Sequence, residues 1–69
     1  MHVKVVELVG ESPHNWKDAV QQAVAEASQD VKNISGVEVY NLTANVKEGR
    51  LAEFKANVKI AYADRSADL

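Results

Sequence analysis

The stretch Ala52-Glu53-Phe54-Lys55-Ala56-Asn57-Val58-Lys59-Ile60-Ala61-Tyr62 determines how the rest of the chain is interpreted. Every second residue in it is apolar, beginning with Ala52 and ending with Tyr62. A period of two over this length predicts a long β-strand with one face against a core and the other face in water. The chain has only one segment with the length and pattern of a helix, so a single helix must cover the apolar face.

The first half of the chain predicts a strand followed by that helix. Residues 2–9 are rich in valine and predict a first strand, which Gly10 and Glu11 are expected to break. Ser12 can cap free backbone N–H groups and Pro13 tolerates the first helical position, so the helix is predicted over 13–32. Apolar residues repeat at three- and four-residue spacing along it and are predicted to face the core: Trp16, Ala19, Val20, Ala23, Val24, Ala27 and Val31.

The second half predicts a β-hairpin. A second strand is expected over 37–47 and a third over 50–63, joined by a turn in which Gly49 can adopt a positive φ angle. Residues 64–69 are predicted to form a polar tail. Four residues of the second strand are predicted to share one face: Tyr40, Leu42, Ala44 and Val46.

These elements predict a single α+β domain over residues 1–69, with the order β-α-β-β. A short turn makes the second and third strands antiparallel neighbours, and the helical crossover lets the first and second strands run parallel. An all-antiparallel sheet then requires the strand order 1-3-2, with the third strand in the middle and the helix packed on one side.

Length and composition indicate how so small a domain is stabilised. A chain of 69 residues buries only about 60% of its unfolded surface, so it usually needs disulfides, a metal or oligomerisation. The sequence has no cysteine and only two histidines, His2 and His14. Disulfides and thiolate metal sites are therefore excluded, and oligomerisation is the predicted source of stability.

The same composition disfavours several functional classes. The net charge is −2 and no basic stripe carries aromatic residues, so nucleic acid is not an expected partner. No apolar run approaches the ~20 residues that cross a bilayer, and the amino terminus lacks a signal-peptide pattern, so we predict a cytoplasmic protein without membrane contact. Neither a nucleophile–base pair nor a glycine-rich phosphate loop is visible, so we predict that the protein is not an enzyme.

Across residues 3–62 the sequence resembles the dodecin family. The similarity lies in residues 5–10 followed by Ser12-Pro13, in the alanine-rich helix, and in residues 36–39 and 54–62. The resemblance implies a homododecameric shell built from trimers and dimers. It also implies a small-ligand binding and storage function, with riboflavin or its nucleotide FMN as the ligand. In this family two flavins stack at each twofold axis.

The resemblance also assigns candidate ligand-binding positions and two departures from the family. Gly36 stands where flavin-binding dodecins have a tryptophan that stacks on the isoalloxazine ring, so weak flavin affinity is expected. Lys55 stands where the family has a glutamine, and an ammonium can donate but cannot accept a hydrogen bond. We assign Tyr40 to a different face from position 36, so it is not expected to replace the tryptophan. The remaining candidates by family position are Val37, Glu38, Asn41 and Thr43.

Other ligands stay open at this point. Lys55 could neutralise a flavin phosphate, or it could form an ion pair between strands. By lacking the tryptophan, the chain resembles dodecin-like proteins that bind calcium, and the alternative function is a calcium-stabilised or structural shell. Its oxygen ligands would come from Glu7, Glu38, Asn41 and Glu53 of several copies. Coenzyme A is a further candidate ligand in this family, and its basic contacts would be Lys4, Lys32 and Arg65.

Overall fold

The structure, a computed structural model, describes residues 2–64 and confirms the predicted β-α-β-β order. Its elements are β1 (His2–Ser12), α1 (Trp16–Asp30), β2 (Ile34–Lys47) and β3 (Arg50–Asp64). Both outer strands pair antiparallel with β3, so the strand order β1-β3-β2 is the predicted one. Of the predicted tail, residue 64 belongs to β3 and residues 65–69 lie outside the described residues.

The core lies between α1 and one side of the sheet, which we call the helix face. Alternate residues of β3 are fully buried there, and three alanines of α1 pack against them. Because alanine has a short side chain, the helix lies close to the strands. The buried core residues are Ala19, Ala23, Ala27, Ala56, Val58 and Ile60. Only Val58 and Ile60 among them are large, so one chain buries a thin core.

The prediction that Gly10 breaks the first strand is wrong. Strand β1 continues to Ser12, and Gly10 is buried within it opposite Ala56. A Cβ atom added at Gly10 would collide with the backbone carbonyl oxygen of Ala19. Glycine is therefore present because the helix backbone crosses the strand at this residue, and a turn is not required.

The prediction that Ser12 and Pro13 start the helix is also wrong. The cap is Asn15, whose Oδ1 accepts a 2.7 Å hydrogen bond from the backbone N–H of Asp18. The buried Ser12 hydroxyl instead donates to Asp18 Oδ2 at 2.6 Å and accepts from the backbone N–H groups of His14 and Asn15. Helix α1 is consequently 15 residues long, shorter than the predicted 13–32.

Strand β2 begins at Ile34, three residues earlier than predicted, and its pairing with β3 is irregular. The register shifts between Ile34 and Gly36, between Val39 and Asn41, and between Ala44 and Asn45. Each shift is a β-bulge, in which one strand contributes a residue that has no partner opposite it. These bulges decide which β2 side chains share a face with those of β3.

The two long strands extend well beyond the helix. A helix of 15 residues is about 22 Å long, whereas the molecule measures 55 × 19 × 12 Å. Its radius of gyration is 14.2 Å, compared with about 11 Å for a compact domain of this length. Much of the sheet is therefore uncovered in one chain. Among the described residues no helix is long and apolar enough to cross a membrane.

Candidate functional site

The side of the sheet opposite the helix, which we call the open face, holds most of the predicted ligand positions. It carries Lys55, Asn57, Lys59, Ala61 and Ala63 of β3 together with the residues paired to them. The register defines successive rows that run from β2 to β3, namely Gly36–Ala61, Glu38–Lys59, Asn41–Asn57 and Thr43–Lys55. No element among the described residues packs on this face.

Gly36 and Ala61 form the least filled row of the open face. Directly opposed residues of neighbouring strands hold their side chains about 5 Å apart, so two small residues leave a shallow depression. A Cβ atom added at Gly36 would have no heavy atom within 4 Å. Its φ angle is also outside the left-handed region, since Gly49 is the glycine with positive φ. Position 36 can therefore hold a large L-residue without strain.

Tyr40 lies on the open face, so its assignment to a different face from Gly36 is wrong. The Lys59 ammonium sits 5.2 Å from the centroid of the Tyr40 ring, and Lys59 belongs to the open face. The bulge between Val39 and Asn41 is the reason. It separates Tyr40 from Leu42 and Ala44, which pair with helix-face residues and with which Tyr40 was predicted to share a face.

The two lysines of the open face both lie opposite carboxylates. Lys59 occupies the middle of a row with Glu7 of β1 on one side and Glu38 of β2 on the other. Lys55 Nζ stands 3.9 Å from Glu11 Oε1. From the row of Lys55 to that of Ala63, the described part of this face therefore holds three carboxylates and two ammonium groups. Both lysines already have acidic neighbours.

One chain does not bring all six predicted ligand positions together. Val37 pairs with Ile60 and lies on the helix face, so its side chain points away from the other five. Gly36 and Lys55 lie on the same face, but their rows are six residues apart along β3, which is roughly 20 Å. A single flavin ring could contact both only if different copies of the chain supplied them.

Trp16 connects the start of the helix to the strand that carries the site. Its Nε1–H donates a 2.8 Å hydrogen bond to the backbone carbonyl of Thr43. The indole packs edge-on against Phe54, with ring centroids 5.0 Å apart. The residue is half-buried, where the sequence predicts a core position. Nothing in the helical pattern signals its contact with β2, because the partner is a backbone atom.

The four candidate calcium ligands are also separated within one chain. Glu7 and Glu38 flank Lys59 across two strand spacings, or roughly 10 Å. Glu53 lies near the hairpin end, where Oε2 accepts a 2.8 Å hydrogen bond from Asn45 and Oε1 is 4.0 Å from Lys47 Nζ. Within residues 2–64 no group of three acidic or histidine side chains could hold a metal.

The basic residues considered for coenzyme A do not form one patch in the described residues. Lys4 Nζ is 2.8 Å from Asp64 Oδ2, and this hydrogen bond, reinforced by charge attraction, raises the pKa of Lys4. Lys32 is exposed in the segment between α1 and β2. Arg65 lies outside the described residues.

Comparison with known proteins places this architecture in a family. The sequence profile of the dodecins matches residues 3–64. The chain belongs to the dodecin family. Comparison with the sequences of curated proteins gives no match.

Solved dodecin structures share the fold over nearly the whole chain. A dodecin from Streptomyces coelicolor is 30% identical with a TM-score of 0.83, and the match covers 88% of this chain and 87% of that one. The tt0972 protein from Thermus thermophilus is 26% identical with a TM-score of 0.84, covering 88% and 90%. A calcium dodecin from Mycobacterium tuberculosis is similar in fold, at 23% identity and a TM-score of 0.80, covering 94% and 93%. Family membership supports a small-ligand-binding protein that associates with itself.

Proposed function

We propose that this dodecin is a non-enzymatic small-ligand binding and storage protein, assembled as a homododecamer from trimers and dimers, with riboflavin or FMN as its ligand. The observation that carries the proposal is the open face. It aligns Gly36, Glu38, Asn41, Thr43 and Lys55 in consecutive rows on an uncovered sheet. The ligand would be held between copies of the chain, because the rows of Gly36 and Lys55 are too far apart for one ring to reach both.

Exposed apolar side chains support the self-association. On the open face Val3, Val5 and Val9 are 70%, 57% and 54% exposed. On the helix face α1 leaves Val37, Val39 and Leu42 of β2 exposed. Apolar patches on both sides of a sheet indicate surfaces that are covered by other chains. The thin core of a single chain supports the same conclusion, because so small a domain rarely supplies enough stability by itself.

Flavin affinity is expected to be low because position 36 lacks an aromatic ring. Stacking of a ring system on an aromatic side chain contributes about 1–3 kcal/mol per ring. Each 1.4 kcal/mol corresponds to about tenfold in Kd, so each missing tryptophan weakens binding by roughly 5- to 150-fold. Lys55 also lacks the acceptor that an amide side chain would offer the pyrimidine edge.

A calcium-stabilised shell is the alternative function. The observation in its favour is the excess of carboxylates on the open face, where Glu7, Glu11 and Glu38 outnumber the two lysines. Calcium takes six to eight oxygen ligands, so several copies would have to combine their carboxylates. The fold similarity to a calcium dodecin is compatible with this alternative.

Native mass spectrometry of the purified protein, with riboflavin and with calcium added separately, tests both functions. Twelve times the chain mass of 7.6 kDa with flavin adducts in pairs is the expected result. A twelvefold mass that takes up calcium and no flavin would support the alternative. A monomer would contradict the proposed assembly, and with it the ligand site between copies.

A further inference from the structure

The open face contains a single aromatic side chain, and it lies between the two ends of the proposed ligand site. The sequence has four aromatic residues. Trp16 and Phe54 pack together on the helix face, and Tyr62 pairs with Lys4 and Ile34 in the outermost helix-face row. Tyr40 is the fourth. If a planar ring stacks on an aromatic side chain of the open face, Tyr40 is the residue available for it.

The β-bulge fixes where the Tyr40 ring stands. Tyr40 falls between the Glu38–Lys59 row and the Asn41–Asn57 row. The Gly36–Ala61 row is two β3 residues beyond Lys59, or roughly 7 Å. The ring is 49% exposed, although Lys59 already contacts it. A depression formed by two small residues therefore lies beside an exposed aromatic ring.

We propose that Tyr40 is the aromatic residue on which a planar, uncharged ligand ring stacks, with the ring lying over the depression at Gly36 and Ala61. The proposal rests on the proposed function and identifies both the stacking residue and the ligand class of that site. The tyrosine stands on the same face as position 36, so it can supply part of the stacking surface that Gly36 lacks. Aromatic rings attract each other in offset or edge-to-face arrangements, which a ring beside the depression allows.

The charges of the open face set the ligand class. Lys59 lies between Glu7 and Glu38, and Lys55 lies near Glu11. A phosphate group brought to this face would meet three carboxylates and two lysines that already have partners. Repulsion from the carboxylates disfavours a phosphorylated ligand, and the effect decreases as salt screens the charges. Riboflavin is therefore expected to bind more tightly than FMN, and Lys55 is not expected to serve as a phosphate-binding residue.

The test measures quenching of flavin fluorescence by the assembled protein, with riboflavin and with FMN, at low and at high salt. The variants are Tyr40→Leu, which removes the ring, and Tyr40→Phe, which keeps it. We expect Tyr40→Leu to raise the Kd for riboflavin roughly 10- to 100-fold and Tyr40→Phe to retain most of the affinity. We also expect the preference for riboflavin over FMN to diminish at high salt. Native mass and circular dichroism of each variant establish that it still assembles.

The outcomes separate this proposal from the function on which it rests. No quenching by the wild-type protein contradicts flavin binding, and the assignment of Tyr40 falls with it. Quenching by the wild type that Tyr40→Leu fully retains overturns the assignment of Tyr40 alone. Tighter binding of FMN than of riboflavin overturns the ligand class. If Tyr40→Leu does not assemble, Tyr40→Trp carries the same test, since a larger ring must bind riboflavin more tightly and an unchanged or weaker affinity refutes the proposal.

Discussion

Replacing Gly36 with tryptophan is the perturbation that examines the ligand site most directly. A side chain at this position meets no heavy atom within 4 Å of its Cβ, and the backbone φ angle suits an L-residue. Tryptophan is also favoured in strands. The substitution therefore adds an aromatic surface to the open face without a steric cost within the chain.

The expected gain follows from the stacking energy of one ring. At about 1–3 kcal/mol per ring, Gly36→Trp should lower the Kd for riboflavin by roughly 5- to 150-fold. Where two copies face each other across a twofold axis, both rings contribute and the gain is larger. Part of it is lost if the new indole displaces the ligand from Tyr40, so the measured value is expected toward the lower end of this range.

The assay is quenching of riboflavin fluorescence by titration with the assembled protein, accompanied by native mass spectrometry. Val37→Trp is the matched control, because it adds the same side chain one residue further along β2 but on the helix face, opposite Ile60. The reasoning is refuted if Gly36→Trp assembles normally and binds riboflavin no more tightly than the wild type. It is also refuted if Val37→Trp increases the affinity by the same factor.

Three further predictions concern the contacts that hold the sheet and the helix together. Gly10→Ala places a methyl group against the Ala19 carbonyl oxygen and is expected to cost about 1–3 kcal/mol of unfolding free energy, measured by urea denaturation; Gly36→Ala is the control, and equal stability of both variants would contradict the close approach. The Ser12 hydroxyl and the Gln22 amide donate to Asp18 and lower the pKa of its carboxyl, so its stabilising effect is fully present above the ordinary pKa of about 3.9 and is lost as the pH falls through the lowered pKa. Asp18→Asn should therefore reduce Tm more at neutral pH than in strong acid, and a pH-independent difference would argue against this contact. Trp16→Phe removes the hydrogen bond to the Thr43 carbonyl and is expected to cost about 0.5–1.5 kcal/mol, seen as a lower urea midpoint; an unchanged midpoint would show that the bond adds nothing to stability.

The strand pattern predicted the topology well, because it depends on regular alternation. The apolar residues of β3 on the helix face are fully buried at Ala56, Val58 and Ile60, as the period of two requires. The short turn and the helical crossover then leave few ways to join three strands, and the strand order 1-3-2 is confirmed.

Local signals at the ends of elements were less reliable than the strand pattern. Ser12-Pro13 has the composition of a helix start, yet the capping residue is Asn15, which immediately precedes the first helical residue, Trp16. The Ser12 hydroxyl is instead used in the contact with Asp18, six residues further along the chain. Two neighbouring residues could each have capped the helix, and the path of the chain after β1 selected between them.

The candidate site was only partly predictable, and the reason is the irregular pairing of β2. The sequence identified Gly36, Glu38, Asn41, Thr43 and Lys55 as candidates, and the register places all of them on one face. It misassigned Tyr40, because counting alternate residues across a bulge gives the wrong face on one side of it. A bulge at an ordinary tyrosine has no distinct sequence signature, so only the register with β3 reveals it.

The order of the elements and the dry face of β3 could be derived from the amino-acid sequence alone, which also indicated a need for other copies of the chain. These follow from side-chain periodicity and from the small number of apolar residues, both of which are local or compositional. The folded chain was needed to show that Gly10 lies inside a strand, that Asn15 caps the helix and that Tyr40 joins the open face. Each of these depends on how closely one backbone approaches another, and that distance is set by packing between segments far apart in the chain.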